Sequence, residues 1–408
     1  MSFLNFLRAN IRWLLAGFLL TFSSSYGQTF FIAIFSGEIR AEFGLSHGAW
    51  GGIYTIATSL SAAAMIWGGA LTDRFRVRGL GALVLCGLAL ACLAMALLPA
   101  VWMLVPTILA LRFFGQGMST HIAGVGMARW FKAARGRALS VAMMGIALGN
   151  AVLPLIFAAL LLTLPWRSLW FIAALMALVA VPLVLFLLNK ERSPRGTLES
   201  DQSAGMQGRH WTRAEALKSP IAWMLIPALI GPPCWGTALL FQQVYLTEIK
   251  GWALIDFVAL FPLMTIVSVF VTFLSGMAID RFGAVRLMPL LMAPWAITFV
   301  LFASANSLGI AALAMVMLGV GQGAGSTLTI AFVAEVFGTR NLGSIKAVVA
   351  ALGVFGSAIG PGVTGFLIDW NVGFNAQLAG FAVYFVIAGL LALLAAARVR
   401  AALPSAAP

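Results

Sequence analysis

Arg112 is the residue whose type and position best suit it for chemistry. It lies near the middle of an apolar stretch of the sequence that runs from about residue 101 to about residue 126. A charged side chain in such a place is energetically costly, and it usually has a function. A guanidinium in low dielectric favours an anionic partner, and bidentate pairing with a carboxylate is its natural geometry. We therefore predict that Arg112 contacts a small organic anion; the alternative is an arginine that only bonds helix carbonyls.

Two further polar residues follow Arg112 in the same stretch. Gln116 lies one helical turn further on, on the same face. His121 is the one titratable side chain in an apolar stretch that is suited to proton transfer near neutral pH. It is a candidate proton relay, and the alternative is a histidine that packs between helices.

Sequence motifs for enzymatic chemistry are missing. There is no His-Glu metal motif, no nucleophile elbow and no pair of carboxylates. The three cysteines have neither zinc-ligand spacing nor a disulfide pattern. No phosphate-binding loop is present either. We therefore expect no enzyme, no catalytic residue, no metal and no cofactor.

The composition explains where these residues lie. Of 408 residues, 62% are hydrophobic and 9% are charged, whereas an average soluble chain is about 45–50% apolar and about 25% charged. This excess argues against a soluble enzyme, a disordered chain and a nucleic-acid-binding protein. The net charge of +13 then indicates a membrane protein with its basic residues on one side, facing membrane lipid.

Twelve apolar segments are long enough to span a membrane as helices. The predicted fold is therefore an all-α membrane protein, and the first segment is an uncleaved span rather than a signal peptide. The Gly231-Pro232-Pro233 run is expected to interrupt the seventh segment. The segments cover about residues 13–37, 49–71, 80–99, 101–126, 138–163, 167–188, 221–247, 254–278, 285–304, 308–333, 344–368 and 375–397.

The basic residues orient these segments. If the N-terminus, the even-numbered loops and the C-terminus share one side, that side holds 21 of the 25 basic residues. The exceptions are Arg40, Arg167 and Lys250 on the other side, and Arg112 within a span. The positive-inside rule then predicts a multi-pass protein of the inner (cytoplasmic) membrane with both termini cytoplasmic.

The two halves of the chain repeat each other. Gly69, Asp73 and Arg74 match Gly276, Asp280 and Arg281, and the spacing stays at about 207 residues for further matches. These further matches are Gln116 with Gln322, Gly149 with Gly356 and Pro154 with Pro361. We therefore predict a six-helix bundle over 1–188, a cytoplasmic central loop over 189–219 and a second six-helix bundle over 220–408.

These motifs, with twelve spans, resemble the major facilitator superfamily over the full length of the chain. The resemblance rests on the loop after the second segment and its copy after the eighth, together with the basic residues after the fourth segment and Glu335 and Arg340 after the tenth. It implies two bundles related by pseudo-two-fold symmetry, with alternating access by a rocker switch. It also implies a role in conformational gating for a set of residues in these loops. The alternative is that their charges only set the orientation in the membrane and cap the loops. The residues are Gly69, Asp73, Arg74, Arg78, Gly276, Asp280, Arg281, Glu335 and Arg340.

The resemblance also implies that the first, fourth, seventh and tenth helices line a central cavity. Five polar or aromatic residues on these helices are candidate substrate contacts beside Arg112, and the alternative is packing and bonding between helices. They are Tyr26, Gln116, Trp235, Gln242 and Gln322.

The expected function is secondary active or facilitative transport of a small organic anion. The segment from Tyr26 to Trp50 resembles the monocarboxylate and oxalate/formate branch of the superfamily. That branch usually carries a basic residue in helix 8 or helix 11; here helix 8 has none, and Lys346 lies at the cytoplasmic start of helix 11. A proton-coupled exporter of drugs or hydrophobic compounds is the alternative, weakened by the lack of a carboxylate at mid-membrane. A membrane sensor or scaffold has no supporting feature. We expect a monomer.

Overall fold

The computed structural model describes residues 3–131, 134–190 and 205–402, which are almost entirely helical. Within these ranges, eleven helices are long and apolar enough to cross a membrane, and a bent pair of helices adds a twelfth span. The predicted multi-pass helical membrane protein is therefore confirmed. The spans, α1 to α12, are Leu4–Gly27 with Thr29–Phe43, His47–Arg74, Val77–Ala96, Val101–Trp130, Arg135–Leu161, Trp166–Leu187, Pro220–Phe241, Leu254–Phe282, Ala284–Ser304, Leu308–Phe337, Leu342–Asp369 and Phe374–Ala402.

The chain divides into two compact units. The first contains α1 to α6 with Gln243–Tyr245, and the second contains α7 to α12. In the first unit α1 packs on α5, α2 on α4 and α3 on α6; in the second, α7 packs on α11, α8 on α10 and α9 on α12. Each helix pair therefore has a counterpart at the repeat-related position. Residues 191–204 of the predicted central loop lie outside the described residues, and the boundaries of the two bundles stay a prediction.

Repeat-related glycines lie where the helices of these pairs approach each other closely. A Cβ on Gly149 of α5 would collide with Ser25 of α1. A Cβ on Gly356 of α11 would lie 3.0 Å from the carbonyl oxygen of Ile230 in α7. The glycines that keep the sequence repeat in phase thus occupy equivalent helix crossings in the two units.

The first span differs from the prediction of one helix over residues 13–37. It begins at Leu4 and is broken at Gln28, which is extended (φ −86°, ψ 151°) between two helical parts bent by 47°. The break leaves backbone groups near Gly27 without helical partners. Such groups are tolerated at membrane depth where neighbouring protein satisfies them.

The predicted interruption of the seventh span at Pro232 and Pro233 is wrong. Helix α7 continues from Pro220 to Phe241 with both prolines inside it. Gln242 is its C-cap, and a separate helix covers Gln243–Lys250. A membrane helix tolerates internal prolines because neighbouring helices support it. The prolines still remove two N–H donors from the helix.

Helix α4 changes its winding along its length. It is α-helical over Leu104–Ala110, a π-helix over Leu111–Ser119, and α-helical again over Thr120–Trp130. The Ser119 hydroxyl donates to the carbonyl of Phe114, five residues earlier, at 2.7 Å. Arg112 and Gln116 both lie in the π-helical part, and π-helical turns often occur at functional sites.

The described part of the central segment binds to the second unit. The Trp211 backbone N–H donates to the carbonyl of Phe337 at 3.0 Å, and the Asn341 side chain donates to the carbonyl of Trp211 at 3.0 Å. A short helix follows at Arg213–Lys218, and a capping box of Thr212 and Glu215 starts it. Hydrogen bonds from Thr212 lower the pKa of Glu215.

Two of the basic residues that deviate from the charge bias have local partners at helix ends. Arg167 donates to the carbonyls of Ala96 and Leu98, at 2.9 and 2.7 Å, and pairs with Glu42. Lys250 donates to the carbonyls of Ala303 and Ala305, at 3.2 and 2.8 Å, and burial lowers its pKa. Cations near the C-terminal ends of helices, here α3 and α9, are electrostatically favourable.

Candidate substrate-binding site

Arg112 is a fully buried arginine, with 1% of its surface exposed. Its Nη1 atom donates to the backbone carbonyl of Gly27 at 3.2 Å and lies 3.3 Å from the Thr29 hydroxyl. Its guanidinium carbon lies 5.4 Å from the centre of the Tyr54 ring. Among the residues that the structure describes, it forms no ion pair.

The remaining nitrogens of Arg112 are unused. Neither Nε nor Nη2 has a hydrogen-bond partner within the described part of the chain, although both atoms are buried. Nη1 lies on the same side of the guanidinium as the side-chain stem, so Nε and Nη2 together form the opposite edge. Two parallel N–H groups on such an edge match the two oxygens of a carboxylate. This edge therefore has the donor geometry that a carboxylate requires, while Nη1 is bonded to α1.

The break in α1 determines which edge of Arg112 is used. Gly27 ends the first part of the helix, so its carbonyl is available to an outside donor. Gly27 also lies against Gly115 of α4, where an added Cβ would come within 2.7 Å of the Gly27 Cα. The close approach of these two backbones brings Arg112 to the broken end of α1.

Thr29 and Tyr54 also belong to this site, although neither was predicted from the sequence. The Thr29 hydroxyl lies 2.6 Å from the Tyr54 hydroxyl as well as next to Arg112. The sequence shows only that Thr29 lies three residues after Tyr26 and that Tyr54 lies within an apolar segment. In a sequence, an uncharged polar residue of a binding site cannot be distinguished from one that only forms hydrogen bonds between helices.

The other predicted residues of the first unit are less closely tied to Arg112. Tyr26 is buried, packs edge-on against Phe31 and lies 3.5 Å from the Met176 sulfur through its hydroxyl. Gln116 is half-buried. His121 of α4 lies against the end of α2, with Nε2 3.3 Å from the carbonyl of Gly69 and 3.4 Å from the Thr72 hydroxyl.

The second unit has a cavity of about 350 Å³ between α7, α9 and α10. Of the residues predicted there, Gln322 lines the cavity, whereas Trp235 and Gln242 do not. Trp235 is stacked on Phe381, with ring centres 4.2 Å apart. Gln242 is buried and donates to the Thr364 hydroxyl at 3.3 Å. These two contacts fit the alternative in which Trp235 and Gln242 pack and bond between helices rather than contact substrate.

Two residues of the cavity were not predicted from the sequence. Trp295 is 3% exposed, and its Nε1 has no acceptor in the described part of the chain. Thr237 lies one turn beyond Pro233 on the same helix. The chain has thirteen tryptophans, and the sequence does not distinguish Trp295 from the other tryptophans.

Two of the predicted gating residues of the first unit, Gly69 and Asp73, lie against α4. Asp73, at the end of α2, pairs with Arg129 of α4 at 2.5 Å, and Arg129 also donates to the carbonyl of Thr72. The side chains of Arg74 and Arg78, which follow Asp73 closely in the chain, are exposed. Gly69 lies beside His121, where an added Cβ would be 3.5 Å from its Nε2. The pair thus fastens α2 to α4 within one unit.

The second copy of this motif has a different arrangement. Glu335 accepts hydrogen bonds from the backbone N–H groups of Ala284 and Val285, at 2.7 and 3.3 Å. Its carboxylate therefore caps the start of α9, after Gly283 with its positive φ of 78°. Asp280, Arg281 and Arg340 are exposed, and a Cβ on Gly276 would meet open space.

Metal binding has no candidate in the described residues. No group of three or more His, Cys, Asp or Glu side chains lies close enough together to hold a metal ion there.

Comparison with solved structures gives matches over almost the whole chain. A bacterial homologue of the human lysosomal transporter Spinster matches with a TM-score of 0.73 and 16% identity, covering 97% of this chain and 98% of that one. The nucleoside transporter NupG matches with a TM-score of 0.70 and 14% identity, covering 97% and 100%. The human organic anion transporter MFSD10 (TETRAN) matches with a TM-score of 0.60 and 17% identity, covering 94% and 99%. At these identities the likeness shows the fold alone.

Comparison with protein sequences and family models gives one family. No curated protein sequence matches the chain significantly. The model of the Major Facilitator Superfamily matches residues 17–277 and 263–407. Members of this superfamily are membrane transporters for small molecules and are not enzymes. The chain therefore belongs to the major facilitator superfamily.

Proposed function

We propose that this protein transports a small organic anion, such as a monocarboxylate, and that Arg112 binds its carboxylate. The observation that carries the proposal is the unused Nε and Nη2 edge of a fully buried arginine. A buried guanidinium without an ion pair is costly, and a bound anion removes that cost. The likeness to an organic anion transporter agrees with the proposal but does not carry it, because it extends to the fold alone.

A structural role is the competing interpretation of Arg112. Its bonds to Gly27 and Thr29 hold α1 against α4, and an arginine kept only for this purpose needs a single nitrogen. The Nε and Nη2 donors then stay buried and unsatisfied, each at a cost of about 1–3 kcal/mol. A substrate role uses both edges, so we favour it.

Transport follows the alternating access of the superfamily, in a monomer with both termini on the cytoplasmic side of the inner membrane. The charge bias supports this orientation, and the partners of Arg167 and Lys250 at helix ends account for two of its exceptions. We place the substrate near those of the monocarboxylate and oxalate/formate branch. The Asp73–Arg129 pair is proposed to act in conformational gating together with Glu335.

Uptake into proteoliposomes tests this function. Radiolabelled acetate, lactate, pyruvate and benzoate are compared with protein-free liposomes, and the amides of the same acids serve as neutral competitors. We expect saturable uptake of at least one acid, no competition by its amide, and loss of uptake in Arg112→Gln. Transport restricted to neutral or cationic compounds would contradict the proposal and favour the drug-exporter alternative.

A further inference from the structure

The beginning of α7 is bonded to the short helix that precedes it. Trp223, in the first turn of α7, donates from its indole Nε1 to the backbone carbonyl of Leu217 at 2.9 Å. Both side chains are nevertheless exposed, that of Trp223 to 65% and that of Leu217 to 43%. The next residue, Lys218, ends the short helix and is also exposed. The end of a membrane span therefore presents two apolar side chains beside a basic one.

The end of α12 brings a second cation to the same turn of α7. Arg398 donates from Nη1 to the sulfur of Met224, the residue after Trp223, at 3.5 Å. Leu394 and Leu390 precede Arg398 by one and two helical turns, so the three side chains share one face of α12. Both leucines are exposed, as lipid-facing residues of a span are. Arg398 therefore lies where the lipid-facing stripe of α12 reaches the boundary with water.

The positive charge of this region has little compensation. Neither Lys218 nor Arg398 forms an ion pair among the residues that the structure describes. Glu215 is the one acidic residue in the two segments that meet here, 205–224 and 390–402. Its carboxylate is already engaged, because it accepts from the Thr212 backbone N–H at 2.7 Å and pairs with Arg209 at 3.2 Å. An anionic partner would therefore find both cations available.

We propose that Leu217, Lys218, Trp223 and Arg398 form a binding surface for the headgroup of an anionic phospholipid. Lys218 and Arg398 bind the phosphate oxygens by charge-assisted hydrogen bonds. The Trp223 ring lies at headgroup level, where tryptophan is enriched in membrane proteins. Its N–H is occupied by Leu217, so the ring contributes its apolar face. A lipid with net negative charge is favoured over a zwitterionic one, because basic residues at a membrane surface attract net negative charge.

Fluorine NMR on the full-length protein in lipid nanodiscs tests this surface. The protein is labelled with 5-fluorotryptophan, and the resonance of residue 223 is assigned by its disappearance in Trp223→Phe. The nanodiscs contain phosphatidylcholine with an increasing fraction of phosphatidylglycerol. We expect the assigned resonance to shift with the phosphatidylglycerol fraction and to reach saturation. An unshifted resonance, or a shift that stays linear over the whole range, would overturn the proposal.

Charge variants separate a defined site from general attraction to a charged membrane. In the double variant Lys218→Gln with Arg398→Gln, we expect the half-saturating phosphatidylglycerol fraction to rise by about tenfold or more. The matched control is Arg135→Gln with Arg137→Gln, which removes two exposed basic side chains from the start of α5 and keeps the wild-type value. An unchanged value in the first variant, or an equal rise in both, would contradict a site at Lys218 and Arg398.

A soluble phosphate compound and Arg112 serve as further controls. Glycerophosphoglycerol carries the phosphatidylglycerol headgroup without acyl chains, and we expect it to give no saturable shift in phosphatidylcholine nanodiscs. A saturable shift with this compound, equal to that with the lipid, would assign the surface to a soluble phosphate and overturn the lipid proposal. Arg112→Gln is expected to give the wild-type lipid titration, whatever its effect on carboxylate uptake. A lipid titration altered in Arg112→Gln would contradict a surface made only of the four residues named above.

Discussion

The Nη1 atom of Arg112 donates to the backbone carbonyl of Gly27 at 3.2 Å, at the break between the two parts of α1. One side of the guanidinium therefore stabilises irregular backbone in the membrane, and the other side keeps two N–H groups without partners. The two interpretations of this arginine, structural and substrate-binding, apply to different edges of one group. They can be separated by experiment.

Arg112→Lys separates charge from geometry. Lysine keeps the positive charge but lacks the planar fork that binds both oxygens of a carboxylate. We expect the KM for a transported carboxylate to rise by about tenfold or more, with the variant still inserted in the membrane. Uptake kinetics in proteoliposomes measure this, and an unchanged KM would argue that the Nε and Nη2 edge does not touch substrate.

Thr29→Val tests the structural edge alone. The valine removes the oxygen that lies 3.3 Å from Nη1 and 2.6 Å from the Tyr54 hydroxyl. We expect the free energy of unfolding to fall by about 1–2 kcal/mol and the KM for the carboxylate to stay unchanged. Thermal unfolding and uptake on the same preparation measure both. A large rise in KM with unchanged stability would place Thr29 among the substrate contacts.

Helix α4 carries a matched pair of glycines for testing the α1–α4 contact. A Cβ on Gly115 would lie 2.7 Å from the Gly27 Cα, whereas a Cβ on Gly124 meets open space. Gly115→Ala is expected to destabilise the fold and abolish uptake, because backbone cannot move aside cheaply. Gly124→Ala is expected to be neutral or stabilising by up to about 1 kcal/mol. Similar thermal stability of the two variants would contradict the close contact.

Much of the fold follows from hydrophobic segments, because a bilayer allows few architectures. The spans, the repeat and the family were predictable for this reason. The break at Gln28 and the continuity of α7 through Pro232 and Pro233 were not, since both depend on which neighbouring helix supports the backbone. Arg112 was identified by its charge alone. Thr29 and Tyr54 matter through their partners and Trp295 through its place in the cavity lining, and a single sequence displays neither.

Asp73→Asn tests the role of the pair with Arg129. The Asp73 side chain is 75% exposed, so the pair contributes less than about 1 kcal/mol to stability. We expect uptake to be impaired while insertion into the membrane stays intact, and Arg129→Gln to have the same effect. Transport rates per amount of inserted protein measure this. Normal uptake by both variants would remove the proposed gating role and leave a local α2–α4 contact.

The most direct test of the central claim is the Nε resonance of Arg112 in ¹⁵N-arginine-labelled protein. The resonance is assigned by its absence in Arg112→Lys, and the protein is titrated with the carboxylate that shows saturable uptake and with its amide. If Nε and Nη2 bind the carboxylate, the Nε–H proton shifts downfield saturably with the carboxylate and does not shift with the amide. An unshifted Nε resonance at a carboxylate concentration that saturates transport would contradict this binding.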